Sequence, residues 1–206
     1  MRISKTLTAA LVALTLSAAA SARAAPSSSE VQFSRLLQAL TADLLGHDSA
    51  TAVLQRWCDA YGPGGGARIT AERVRDADKP LPDAGQAALG AGSVQGVRYR
   101  RVRLACAGRV LSEADNWYLP SRLTPQMNAA LDSTDTPFGV VVRLLDFHRR
   151  NLTSRPLYDG AGAAQPPPQV LENSAVLSTA AGDPFSYVVE TYTGDALAMA
   201  ASAPAH

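Results

Sequence analysis

The sequence predicts an α+β fold, a single, largely antiparallel β-sheet with short helices packed on it. Three observations carry this expectation. Runs of alternating polarity come in pairs joined by tight turns, the signature of hairpins. Apolar residues at helical spacing concentrate in the first third of the chain. Thr-Pro pairs at 124–125 and 136–137 mark two further short helix starts, because threonine caps a helix and proline fits its first turn.

Taken in order, the first 24 residues read as a secretory signal peptide. Arg2 and Lys5 give a positive start, residues 7–20 are apolar, and Ala22-Arg23-Ala24 is a small-residue cleavage site, with the cut expected before Ala25. The apolar run is too short for a membrane-spanning helix, and no later run reaches the roughly 20 residues one needs. The expectation is a periplasmic or secreted protein of 182 residues, with one domain at 25–195 and a disordered tail at 196–206. Without Arg2, Lys5 and Arg23, 16 Lys+Arg face 18 Asp+Glu, a net charge of −2. A weakly acidic chain argues against non-specific nucleic-acid binding.

Residues 30–45 place Phe33, Leu36, Leu37, Leu40, Leu44 and Leu45 on one helical stripe, ended by Gly46. Asp48 or Ser49 can cap a second helix, running to about Tyr61. The Gly-Pro-Gly-Gly-Gly stretch at 62–66 lacks the lysine and hydroxyl residue of a phosphate loop and reads as a turn. Residues 67–75 alternate weakly, as a first strand. Residues 76–96, rich in Pro, Gly, Asp and Ala, read as a long loop or flap.

The stretch 96–120 is the centre of the chain. Val102, Leu104 and Cys106 alternate with Arg101, Arg103 and Ala105; Ala107-Gly108 turns the chain, and residues 109–119 return as a second strand. Tyr99, Arg101 and Arg103 share one face, with the two arginines roughly 7 Å apart. Such a row is either a solvated edge or a wall that binds carboxylate. Residues 124–131 and 136–145 are the two Thr-Pro helices, and the second would present the N–H groups of Phe138 and Gly139, a terminus that attracts anions. A strand at 148–158 carries Arg149 and Arg150. Strands at 170–179 and 185–193 form a second hairpin, in which Glu190 is an acid in an apolar run. A carboxylate there is desolvated, and its pKa rises unless an arginine sits close.

Cys58, on a predicted helix, and Cys106, on the central strand, can pair in an oxidising compartment; spacing alone does not decide it. With only these two cysteines and the scattered His47, His148 and His206, no metal-ligand spacing is present. The sequence also lacks the G-x-S-x-G and H-E-x-x-H motifs and a nucleotide-binding glycine fingerprint.

The succession RYRRVRLAC, WYLPSRLT, TPFG and VVETY, preceded by SATAVLQRW and RITAERV, resembles the chorismate–pyruvate lyase family over residues 44–192. The same fold serves as the UTRA effector domain of bacterial transcription regulators. The resemblance implies cleavage of chorismate, or a related enolpyruvyl cyclohexadiene acid, to 4-hydroxybenzoate and pyruvate, driven by aromatisation and needing neither metal nor organic cofactor. It carries the carboxylate-holding arginine of an R-x-V/I-x-L strand onto Arg101, with Arg103 beside it. It carries the backbone N–H donor of T-P-L-G onto Phe138, next to Gly139, and a late-strand glutamate onto Glu190. A further arginine falls at Arg150 or, with one gap, at Arg149. Arg101 and Glu190 would be the catalytic pair. The partner expected is a small anionic aromatic or cyclohexadiene ligand, bound by a monomer. Export sets this reading against a second, a non-catalytic periplasmic binder of a small aromatic or carboxylate ligand, and a third, a structural envelope protein.

Overall fold

The structure, a computed structural model, describes residues 27–63, 66–90, 95–160 and 165–203. The expected signal peptide and its cleavage site lie outside these residues. Helix α1 (Ser28–Leu45) begins at a capping box, Ser27 accepting from the Glu30 amide while the Glu30 carboxylate accepts from the Ser27 amide. Helix α2 (Ala50–Tyr61) is capped by the Ser49 hydroxyl. Strands β1 (Ile69–Val74), β2 (Arg98–Cys106), β3 (Arg109–Tyr118), β4 (His148–Pro156), β5 (Gln169–Ser178) and β6 (Pro184–Thr193) form one antiparallel sheet in the order β1-β2-β3-β6-β5-β4. The β2–β3 turn has Ala107 at φ 48° and Gly108 at φ 82°, the left-handed pair that matches the twist of a two-residue hairpin.

Between β3 and β4 the chain crosses to the far edge through α4 (Pro125–Ser133), capped by Thr124, and α5 (Phe138–Val141), continued by a 3₁₀ turn at Val142–Leu145. The second Thr-Pro helix is therefore one α-turn rather than a continuous helix to 145. Two stretches expected to be irregular are helical. Helix α3 (Asp83–Leu89) lies within the expected flap, and Leu89 packs with Trp117, Val176 and Tyr187. Helix α6 (Gly194–Ala201) occupies most of the expected tail and buries Ala196, Leu197 and Met199. Both are alanine-rich, and alanine is the best helix former once a face has somewhere to pack.

The sheet has two unlike faces. On the inner face, Val102, Leu104, Cys106, Ala114, Val188 and Tyr192 join α1, α2 and α6 in the main core. A second inner cluster unites Tyr118, Leu177 and Phe185 with α4 and α5. On the outer face α3 covers Trp117, Val176 and Tyr187, and β2 and β3 carry Arg101, Arg103, Glu113 and Asp115. The Cys58–Cys106 disulfide, with a Cα–Cα distance of 5.7 Å and both residues fully buried, joins α2 to the end of β2.

Candidate functional site

Antiparallel register decides which side chains can meet, because a shift of one residue moves a side chain to the opposite face. Val102 pairs with Ala114, and Ala114 with Glu190, so Glu190 belongs to the inner face. Arg101 pairs with Asp115, and Arg103 with Glu113, on the outer face. The expectation that Arg101 and Glu190 share a pocket is therefore corrected: the sheet lies between them. Arg101 is bound by Glu113 and by Asp115 (3.2 Å), and Arg103 donates from Nε to Glu113 at 2.9 Å. Burial pulls the Arg101 guanidinium down, but Asp115 and Glu113 more than offset it. Arg150 pairs with Val176, which packs under α3, and so also lies on the outer face; the alternative match, Arg149, lies on the inner one, opposite Leu177.

The hydrogen bond from Arg103 holds the Glu113 carboxyl below the usual carboxylate range. A depressed folded-state pKa adds stability above the unfolded value, and this is lost as pH falls through the folded one. Acid titration of stability below about pH 4.5 should be shallower in Glu113→Gln by about 1 kcal/mol or less, because the group is partly exposed. Denaturant melts between pH 3 and pH 7 measure the difference.

On the inner face a narrow cleft with a cavity volume of about 40 Å³, partly open to solvent, lies along the seam between the two apolar clusters. Val102, Leu104, Ala114 and Val188 floor it, Phe138 and Phe147 close one side, and Ser49 and Thr51 at the start of α2 pack closely against Gly139. Its charged groups are Arg149 and Glu190 on the wall, whose side chains are 3% and 10% exposed, with Asp48 beside α2. Arg149 donates to Glu190 through both terminal nitrogens, Nη2–Oε2 2.6 Å and Nη1–Oε1 3.2 Å, and through Nε to Asn151 Oδ1 at 2.8 Å. Burial opposes the Arg149 charge, yet Glu190 beside it raises its pKa. Tyr192, fully buried, donates its hydroxyl to Glu190 Oε2 at 2.8 Å; burial first, then Glu190, push its pKa well up and keep that proton in place. The Arg149 backbone N–H donates to Asp48 Oδ1 at 2.7 Å, which ties β4 to the start of α2.

Of the predicted site residues, Glu190, Phe138, Gly139 and Arg149 thus meet in one cleft; Arg101, Arg103 and Arg150 do not. The sequence reading missed Arg100 and Asn116. Arg100 is 1% exposed, donates from Nη2 to the carbonyls of Thr134 and Thr136 at 3.0 Å, and leaves Nε and Nη1 without partners. Burial, with Arg73 adding repulsion, holds its pKa below the usual value. Its neighbour across the β2–β3 pair is Asn116, which lines the cleft. The signal was available: R-x-V-x-L is met by Arg100, Val102 and Leu104, and an arginine in phase with an apolar row must face the core.

No family model matches the chain. A curated protein described as uncharacterized protein y4mC, from Sinorhizobium fredii (strain NBRC 101917 / NGR234), is 45% identical over 186 residues, covering 82% of this chain and 78% of that protein. Among solved structures, PhnF from Mycobacterium smegmatis aligns with a TM-score of 0.50 at 15% identity, over 73% of this chain. The alignment spans 66% of PhnF, just under two thirds of its length. The separately solved effector domain of PhnF aligns over 72% of this chain and 90% of that domain, with a TM-score of 0.47 and 15% identity. At this identity the PhnF likeness concerns the fold, the one that effector-binding domains share with chorismate lyase.

Proposed function

The chain belongs to the same family as y4mC of Sinorhizobium fredii, and from the geometry of its cleft we propose that it binds a small organic anion there, a benzoate-sized ring bearing a carboxylate. One observation carries the reading. Beside the cleft, next to its lining residue Asn116, the buried Arg100 keeps Nε and Nη1 without a hydrogen-bond partner, while the cleft's own Arg149 is already paired with Glu190. A desolvated cation lacking an anion is costly, and a ligand carboxylate supplies the missing charge. The apolar floor and aromatic side suit the face of a ring.

Cleavage of chorismate is the narrower reading. It is favoured by the meeting of Glu190 with the Phe138–Gly139 backbone in one cleft, as the resemblance to the lyases implies. There the enolpyruvyl C–O bond would break while the hydroxyl-bearing ring carbon gives up its hydrogen to the enolpyruvyl methylene, leaving an aromatic ring and pyruvate, and the cleft would hold the arm folded over the ring. A site outside the cytoplasm, supported by the N-terminal 24 residues and by the Cys58–Cys106 bond, favours binding without turnover.

Thermal shift with benzoate, 4-hydroxybenzoate and chorismate tests the reading. A ligand at 100 times its Kd adds about 2.7 kcal/mol, a shift of several degrees. Arg101→Ala, on the outer face, should keep that shift. No stabilisation by any aromatic or cyclohexadiene acid would sink the proposal, and 4-hydroxybenzoate released from chorismate would establish the narrower form.

A further inference from the structure

Asn116 is 3% exposed and lines the cleft, yet its side-chain Nδ2 has no hydrogen-bond partner. A buried amide donor left unmatched costs about 1–3 kcal/mol, and such groups in folded proteins are few. Its position in the sheet says what it faces. On one side it pairs with Arg100; on the other it pairs with Val188, which places Glu190 on the diagonal. Direct cross-strand neighbours stand about 5 Å apart at Cβ and diagonal ones about 7–8 Å. The amide thus sits on the cleft floor between the partly free guanidinium and the Arg149–Glu190 pair.

We propose that Asn116 is a specificity residue: its Nδ2 donates to an uncharged acceptor oxygen, a hydroxyl, ether or carbonyl, carried by the ring in addition to its carboxylate. This rests on the anion-binding reading and narrows it to oxygenated ring acids. The amide is neutral and donates, so it adds no charge for a second carboxylate and rewards an oxygen with a free lone pair. A methyl group or hydrogen in that place would leave the donor buried and unmatched, the situation in which polar sites discriminate most strongly.

Calorimetric titration of the purified protein with benzoate and with 2-, 3- and 4-hydroxybenzoate tests this. One hydroxy isomer should bind about tenfold or more tightly than benzoate. Asn116→Leu, close in shape, should erase that ratio while the ligand-free protein melts at the same temperature or higher, since the unmatched donor is gone. A purely structural asparagine would lower the melting temperature and leave the ratio intact, which would overturn the inference. Benzoate binding without preference for any hydroxy isomer would overturn it alone. Failure of all four acids to bind would remove the anion-binding reading and this inference together.

Discussion

Arg149→Met should lower the free energy of unfolding by about 3–5 kcal/mol, because it leaves the Glu190 carboxylate buried without its bidentate partner. That is a large share of the stability of an ordinary domain. The paired change Arg149→Met with Glu190→Leu should recover most of the loss and could exceed the parent, since apolar residues of similar volume often replace buried ion pairs at no cost. Chemical denaturation of the three proteins measures this. Ligand binding should behave differently and be lost in the single and the double variant alike. Recovery of stability without recovery of binding would mark the ion pair as retained for the cleft. If the double variant stayed as unstable as the single one, the pair would instead be holding β4 to β6.

The second large effect is expected at the disulfide. Cys58 and Cys106 are 48 residues apart in sequence, and closing a loop of that size removes chain entropy from the unfolded state worth about 4 kcal/mol. Cys58→Ala with Cys106→Ala should lose about that much, and reduction should approach the same value. Melts with and without reductant report it. The bond joins α2 to the sheet, and the first residues of α2 face the cleft, so the doubly substituted protein should also bind aromatic acids more weakly. A loss below about 1 kcal/mol would mean that packing of Trp57 and Leu54 already fixes the helix.

Much of this architecture could be read from residue patterns. The hairpin at Ala107–Gly108, the return of β5 into β6, and the stripe of α1 are local periodicities, and the sheet preserves them. Glu190 stood out as an acid in an apolar run, and the condition attached to it, an arginine close by, is met by Arg149 from two strands away. Arg101 was less legible. Four arginines within six residues, Arg98, Arg100, Arg101 and Arg103, offer two phases of alternation. Only the apolar partners Val102 and Leu104 decide which phase is inward, and they select Arg100. Helices α3 and α6 were hidden for another reason: alanine-rich segments show weak amphipathic contrast, and their burial comes from distant residues such as Tyr187. The cleft itself is a tertiary product, since it exists where two separately packed clusters fail to close over the same strands.

The outer face has its own consequence. Across β2 and β3, Arg103, Glu113, Arg101, Asp115 and Lys79 form a chain of opposite charges, each ion touching one of the other sign. Such a mosaic cancels much of its own field within a few ångströms. For two copies to stack sheet against sheet, water would have to be stripped from five ions already matched at home, with nothing gained in exchange. Stacking through the part of the sheet that α3 leaves bare is in this way made costly by its own side chains.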